Sequence, residues 1–403
     1  MSEVAHTPQL RFPEFIGEWD VTNFGNISSI KRGASPRPIS SPKWFDKDSS
    51  VGWVRISDVT KSKKYLKKTE QYLSEDGINR SRKVDKGNLI MSICATIGKP
   101  IYTNFNVCIH DGFIVFDSLS EDKGFIYYLL EKIQKKWYRY GQPGTQVNLN
   151  SDIVSSEIFS IPTKPEQQKI AAFLTAVDNK IEQLSKKQEL LGEYKKGLTQ
   201  QIFSQAIRFK AGDGSDFPDW EEKKLGDVFE IKAGQSKSKH IKKDGKNIIV
   251  DMGGISSEPK LVAKKLTDYD DDFLTTNDLV MPKDDIGGGL IIGKVAEIPE
   301  NNKYICGDHI YKLTVVNGNI TFLKYAINSY QVNKSFRQKA NGTAQIGLSR
   351  KEVENQLLSF PSLKEQTKIA NFLSSIDSKI EQVGKQLNES KQFKKALLQQ
   401  MFV

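Results

Sequence analysis

The chain contains one segment twice, and this duplication limits its possible folds more than any other feature. Pro162 to Phe203 reads PTKPEQQKIAAFLTAVDNKIEQLSKKQELLGEYKKGLTQQIF, and Pro361 to Phe402 reads PSLKEQTKIANFLSSIDSKIEQVGKQLNESKQFKKALLQQMF. The copies align without a gap and about half of the aligned positions are identical, which marks an internal repeat. Apolar residues step alternately by four and three along the first copy, through Ile170, Leu174, Val177, Ile181 and Leu184, then Leu191, Leu198 and Ile202. The second copy has Ile369, Leu373, Ile376, Ile380, Val383, Leu387, Leu397 and Met401. A repeat averaging about 3.5 residues is the seam of a coiled coil, so each copy predicts one long helix. The stripe is narrow and long for an ordinary surface helix; the plainer alternative is two amphipathic helices packed on separate cores. Polar residues break the seam at Gln188, Lys195, Ser390 and Lys394. They read as devices that set antiparallel register, and leucines in their place are expected to raise stability while admitting wrong pairings.

At 403 residues the chain should hold two or more domains. Hydrophobic residues make up 38% and charged residues 27%, the balance of a globular protein. The net charge of +10 suits a nucleic acid or another polyanion as partner. Three cysteines (Cys94, Cys108 and Cys306) cannot build a disulfide framework, which points to a reducing compartment. No apolar run approaches the ~20 residues of a membrane span, and MSEVAHTPQLRFPEF lacks the apolar core of a signal peptide. The expected location is the cytoplasm.

The segments before each repeat also echo one another. Phe217-Pro218-Asp219-Trp220 resembles Phe12-Pro13-Glu14-Phe15, and LGDVFEIKAG ending at Gly234 matches FGNISSIKRG ending at Gly33. Asn277 to Met281 matches Gly87 to Met91, Ile292-Gly293-Lys294 matches Ile97-Gly98-Lys99, and Phe322 and Tyr325 match Phe125 and Tyr128. Strands are expected over Phe24 to Ile30 and Val51 to Val59, and a helix from about Lys123 to Tyr138. AGDGSD after the first long helix is a plausible linker. The division this predicts is a first variable domain over 1–160, a helix over 161–207, a second variable domain over 208–360 and a second helix over 361–403. Between the shared anchors nearly every polar residue differs, as expected where loops carry recognition.

A search for catalytic chemistry finds little. Gly288 to Val295 comes within one residue of a phosphate-binding loop, but Val295 stands where Ser or Thr would hold Mg²⁺, and a glycine-rich hairpin is the better reading. Asp219, Glu221, Glu222 and Lys223 supply nuclease-like residue types, yet they lie nearly adjacent, as in a polar turn. There is no Asn- or Asp-Pro-Pro-aromatic tetrad for methyl transfer to a base, and no histidine–cysteine spacing for a metal. The chain is read as having no catalytic residues, bound metal or cofactor of its own.

Binding residues are plentiful. Lysines and arginines share loops with amides and hydroxyls, the mixture that holds phosphates and reads base edges. The DNA-binding candidates are Lys31, Arg32, Arg37, Arg55, Lys61, Lys63 and His110 in the first half. The second half contributes Lys232, Lys237, Lys239, His240, Lys283 and His309. Thr145, Gln146 and Asn148, and Thr343 and Gln345, precede the segments leading to the long helices and carry amides suited to adenine. For any one lysine the alternative is a solvated surface residue; for the amide loops, a turn leading into a helix.

Taken whole, the chain resembles the specificity subunit of type I restriction–modification systems. The resemblance rests on Pro-x-x-x-Glu-Gln-x-Lys-Ile-Ala-x-Phe-Leu opening each helix (Pro162 to Leu174, Pro361 to Leu373) and on Asp-x-Lys-Ile-Glu-Gln after it (Asp178 to Gln183, Asp377 to Gln382). It implies a mixed α/β (α+β) fold with two target-recognition domains, each reading half of a split double-stranded DNA target. The two long helices would form an antiparallel coiled coil, giving a pseudo-twofold internal repeat. It also implies two methyltransferase subunits and two restriction (motor-nuclease) subunits as partners, which would use S-adenosylmethionine, ATP and Mg²⁺, with adenine the methylated base. Helices of about 38 residues would span about 55 Å and act as a ruler between half-sites. The alternatives are an orphan DNA-binding or scaffold protein without enzyme partners, and a target-recognition protein fused to its own methyl-transfer activity.

Overall fold

A computed structural model describes residues 7–140, 149–342 and 345–403. The chain forms two compact units, one of residues up to Ser185 with Lys385–Val403, the other of Lys186–Gly384. Each unit therefore holds part of both long helices, which run over Lys164–Phe203 and Leu363–Gln400.

In the first unit the strands Ser29–Arg32, Phe113–Asp117, Leu89–Ser92, Pro100–Thr103 and Tyr65–Leu66 lie side by side in that order. A second sheet has the order Gln71–Tyr72, Gly52–Val54, Val107–Ile109, Arg82–Val84, with its two middle strands parallel. The second unit repeats this plan. One sheet runs Phe229–Ala233, Ile310–Val315, Asp278–Pro282, Ala296–Glu297, and the other again contains a parallel pair, Asn247–Val250 with Tyr304–Cys306, here at the edge of the sheet. The fold is mixed α/β in both halves.

Each domain is closed by pairing its first strand with its last. Asp20–Asn23 lies antiparallel to Ile158–Ile161, and Glu221–Lys224 to Leu357–Phe360. The long helix starts immediately after each closing strand. Its Glu-Gln motif explains how. Buried Glu166 takes a two-pronged ion pair from Arg11, Nε and Nη2 both at 2.8 Å, and buried Glu365 pairs with Arg208 Nη2 at 2.9 Å. The neighbouring Gln167 donates to Pro162 O and accepts from Asp122 N–H; Gln366 does the same with Pro361 O and Asn319 N–H. Each glutamine thus ties the helix start to the cap of a domain helix, Lys123–Ile133 or Ile320–Ile327.

Three local expectations change. Phe24–Ile27 is a helical turn rather than strand, because the Asn23 side chain accepts from Asn26 N–H; the strand is Ser29–Arg32. The strand from Val51 stops at Val54, because buried Asp58 accepts from Arg55 N–H and starts the helix Ile56–Lys61. The counterpart of Arg11-Phe12 is Arg208-Phe209, not Phe217-Pro218. Phe12 packs edge-on to Phe173 and Phe209 edge-on to Phe372, while Trp220 matches Trp19 by packing on Phe322 as Trp19 packs on Phe125.

The expected seam faces inward. Ile170, Leu174, Leu184, Ile369, Leu373, Ile376, Val383, Leu387 and Leu397 are buried, and Val177, Ile181, Leu191, Leu198 and Ile380 half-buried. Within the first unit Ile170 and Leu174 share a core with Leu397, Met401 and Phe402; within the second Ile202 shares one with Ile369 and Leu373. The two helices thus run antiparallel in each unit.

Two of the four polar breaks, Lys394 and Lys195, are ion pairs. In the first unit Lys394 Nζ lies 2.8 Å from both Asp178 Oδ1 and Glu131 Oε2, and Tyr128 OH donates to Asp178 at 2.7 Å. In the second, Lys195 Nζ lies 2.6 Å from Asp377 Oδ1, and Tyr325 OH donates to Asp377 at 2.6 Å. Gln188 packs where Gly384 leaves room, and Ser390 bonds within its own helix. Leucine at Lys195 or Lys394 would strand a carboxylate, so the expected gain in stability is replaced by a loss.

Candidate nucleic-acid interface

The strand ends that carry KRG and KAG meet a second loop in each unit. A Cβ on Gly33 would overlap His110 O, and one on Gly234 would overlap Gly307 O, so only glycine fits at these crossings. In the first unit Gly33 N–H donates to Phe113 O (2.9 Å) and Ala34 N–H to Ile109 O (3.1 Å). This brings the loop 32–37 against His110 and Asp111.

Asp111 organises what gathers there. Its Oδ1 accepts from Ser35 Oγ at 2.8 Å, its Oδ2 takes Arg37 Nη2 at 3.2 Å, and its backbone oxygen takes Arg32 Nε at 2.8 Å. Partial burial pushes the Asp111 carboxyl up, but the Ser35 hydroxyl, His110 and Arg37 outweigh it and hold it below the ordinary aspartate range. His110 lies between Trp53 and Phe113. Burial lowers its pKa, and its Nδ1 accepts from Gly112 N–H at 2.8 Å, so the neutral ring carries its proton on Nε2. Arg32 and Arg37 are exposed and Arg55 half-buried. Two arginines, Arg32 and Arg37, therefore meet at one aspartate, at loops set on the ends of sheet strands.

The matching place in the second unit has different chemistry. His309 Nδ1 donates to Asp284 Oδ2 at 2.6 Å. Lys283 N–H donates to His309 O, and Leu348 N–H donates to Lys283 O. Asp284–Asp285 pairs with Ile346–Gly347, which sets exposed Gln345 beside this cluster. The glycine-rich stretch 286–293 is a crossover between two sheets rather than a hairpin, since Asp284–Asp285 and Ala296–Glu297 pair in separate sheets. Inside it Asp285 accepts from Gly287 and Ile291 N–H (2.5 and 3.0 Å), so these amides face a carboxylate, which opposes phosphate binding.

The other candidates lie elsewhere. Lys31 pairs with Asp117, Lys61 with Glu70 (2.6 Å) and Lys232 with Glu230 (2.8 Å). Lys237 is buried and paired with Asp272 at 3.2 Å, against the Tyr269 ring. Lys239 and His240 are exposed, and His240 packs on Tyr269. Lys61 and Lys63 line a cleft of about 1050 Å³ with Lys67, Lys68 and Lys99, walled by Asp178 and Glu182 of the first long helix. Thr145, Gln146, Asn148 and Thr343 lie outside the described residues; Leu149, just beyond the first three, donates to Ile93 O beside the arginine cluster.

The part played by Asp111 and Asp284 is not visible in the residue pattern. Which loops these carboxylates join depends on strands far apart in the chain. Among the described residues no group of three or more His, Cys, Asp or Glu is placed to hold a metal, and no helix is long and apolar enough to cross a membrane.

Comparisons with known proteins agree with one another. The profile of the family described as "Type I restriction modification DNA specificity domain" matches twice, at residues 16–191 and 218–391. The type I restriction enzyme MjaVIII specificity subunit of Methanocaldococcus jannaschii is 24% identical, covering 96% of this chain and 92% of that protein. The putative MjaX specificity subunit of the same organism is 26% identical over 68% of this chain. The crystal structure of a type I restriction–modification S subunit from M. genitalium superposes with a TM-score of 0.62 at 16% identity, covering 98% of this chain and 99% of that one. A chain from a study of complex assembly and conformational transition in the type I system superposes at 0.57, with 15% identity over 94% of this chain.

Proposed function

This chain belongs to the type I restriction modification DNA specificity family, whose specificity subunits are non-catalytic, and from that premise we propose that it reads a bipartite DNA target, one half-site per domain. The observation that carries this reading is the double match of the family profile, one to each half. The two domains share topology and closing strands but differ in the loops at the candidate interface. An arginine cluster around Asp111 in one, and Lys283, His309 and Gln345 in the other, are surfaces suited to different sequences.

The long helices would set the number of unread base pairs between half-sites. At about 1.5 Å per residue the helix Lys164–Phe203, of 40 residues, is about 60 Å long. The enzymes that the chain lacks would dock on it: two methyltransferase subunits, which use S-adenosylmethionine, and two restriction subunits, which use ATP and Mg²⁺. Tyr194 and Phe393 occupy the same place in the two repeats, and both are more than half exposed on the helices, which supports one docking site per repeat. The complex would work in the cytoplasm, on the cell's own DNA.

Mapping methylated sites in DNA modified by the assembled complex tests the reading. The expected result is two short defined sequences separated by a constant undefined gap. A single uninterrupted target, or none, overturns it. Mass measurement of the purified methyltransferase complex should give two methyltransferase subunits per chain.

A further inference from the structure

Arg32 is an exposed cation of the first domain that is held at both its side chain and its backbone. Its Nε donates to the backbone oxygen of Asp111 at 2.8 Å, a bond no side-chain substitution at Asp111 removes. Its own backbone oxygen accepts from Arg82 Nε at 3.2 Å, and Gly33 next to it is bonded to Phe113 O. Both ends of the residue are thus fixed while the side chain stays exposed. Among the described residues no partner takes Nη1 or Nη2, so the guanidinium offers two parallel N–H groups on its outer edge. By contrast Arg37 already uses Nη2 on the Asp111 carboxylate, and Lys31 is paired with Asp117.

A pinned arginine with its two terminal amino groups open matches one DNA feature best. Guanine presents O6 and N7 side by side in the major groove, and a guanidinium edge takes both at once. A phosphate would also accept such a fork, but a phosphate contact needs no fixed orientation, whereas base reading does. We infer that Arg32 reads a guanine in the half-site of the first domain, and that Asp111 is a positioning residue, its carboxylate holding the 32–37 loop through Ser35 and Arg37. This rests on the proposed DNA-reading function.

The test uses the full chain in its methyltransferase complex, with wild type, Arg32→Ala, Arg32→Gln and Asp111→Asn mapped side by side for methylated sites and assayed for DNA affinity across salt. Arg32→Ala should relax one guanine position in one half-site, lowering discrimination there by about 5- to 150-fold. The other half-site and the gap should not change. Arg32→Gln should shift that position towards adenine, which offers N6 and N7 to an amide. Asp111→Asn should weaken discrimination at the same position only in part. Arg32 is exposed, so its variants should melt with the wild type. If Arg32→Ala lowers affinity equally for all sequences and reduces the salt slope by about one, the contact is a phosphate and the inference fails. An unchanged motif with unchanged affinity also overturns it. If the wild-type complex itself yields no bipartite motif, the proposed function fails first, and the two failures are told apart.

Discussion

At Gly98 and Gly293 the Ile-Gly-Lys motif turns out to be structural. Both glycines have positive φ, +73° and +67°, and a Cβ would overlap the Trp137 ring in one domain and Phe336 in the other. Gly98→Ala therefore adds backbone strain to a steric clash, and should destabilise the protein by about 2–4 kcal/mol, read as a lower urea midpoint. The lysine after each glycine is turned inward. Lys99 donates to Val59 O and Ser62 O, and burial lowers the pKa of both Lys99 and Lys294. His110 gives a pH signature. Its folded-state pKa lies below the unfolded value of about 6.5, so the unfolded chain takes up protons first as pH falls. Its contribution is complete above pH ~6.5 and is lost as pH drops through the folded pKa. Urea midpoints measured from pH 7.5 to 5 should fall more steeply for wild type than for His110→Gln. Equal slopes would mean that the ring is not held neutral by burial.

Among the elements, a Tyr–Asp–Lys cluster ties the two long helices together in each unit. The Asp of each Asp-x-Lys-Ile-Glu-Gln motif accepts a tyrosine hydroxyl from its domain and a lysine from the other helix. Lys394→Leu leaves Asp178 and Glu131 half-buried without their cation, and should cost about 1.5–3 kcal/mol, the worth of hydrogen bonds to charged groups. In the second unit, exchanging the charges as Lys195→Asp with Asp377→Lys should recover part of what either single change loses. Thermal melts of both singles and the double give the coupling; strict additivity would mean that the pair does not set register.

For the whole molecule, the pairs constrain how the proposed ruler could be lengthened. A heptad inserted in the Glu182–Glu193 region alone separates Asp178 from Lys195 on the first helix without moving their partners apart on the second. One cluster must then lose its pairing. A second heptad between Asp377 and Lys394 restores both. The doubly extended chain should fold and lengthen the tolerated gap while both half-sites stay the same, whereas the singly extended chain should be destabilised. Methylation mapping checks the first expectation and thermal melts the second. A doubly extended chain with an unchanged gap would remove the helices from the measuring role.

The repeat, the inward seam, the family and the two-domain plan were all legible in the sequence, because periodicity and duplication are properties of the chain itself. So were the anchor motifs as patterns, though not their purposes. Tertiary structure alone decided that Glu166 and Glu365 bind arginines from segments about one domain away, and that Lys195 and Lys394 each answer an aspartate on the opposite helix. It also decided which cations gather. Arg32 and Arg37 meet through Asp111, while Lys237, in an equally basic stretch, is buried against Asp272. Helical and strand periods follow from local sterics and can be read along the chain. A charge's partner depends on which distant strands pair, and spacing in sequence carries no record of that.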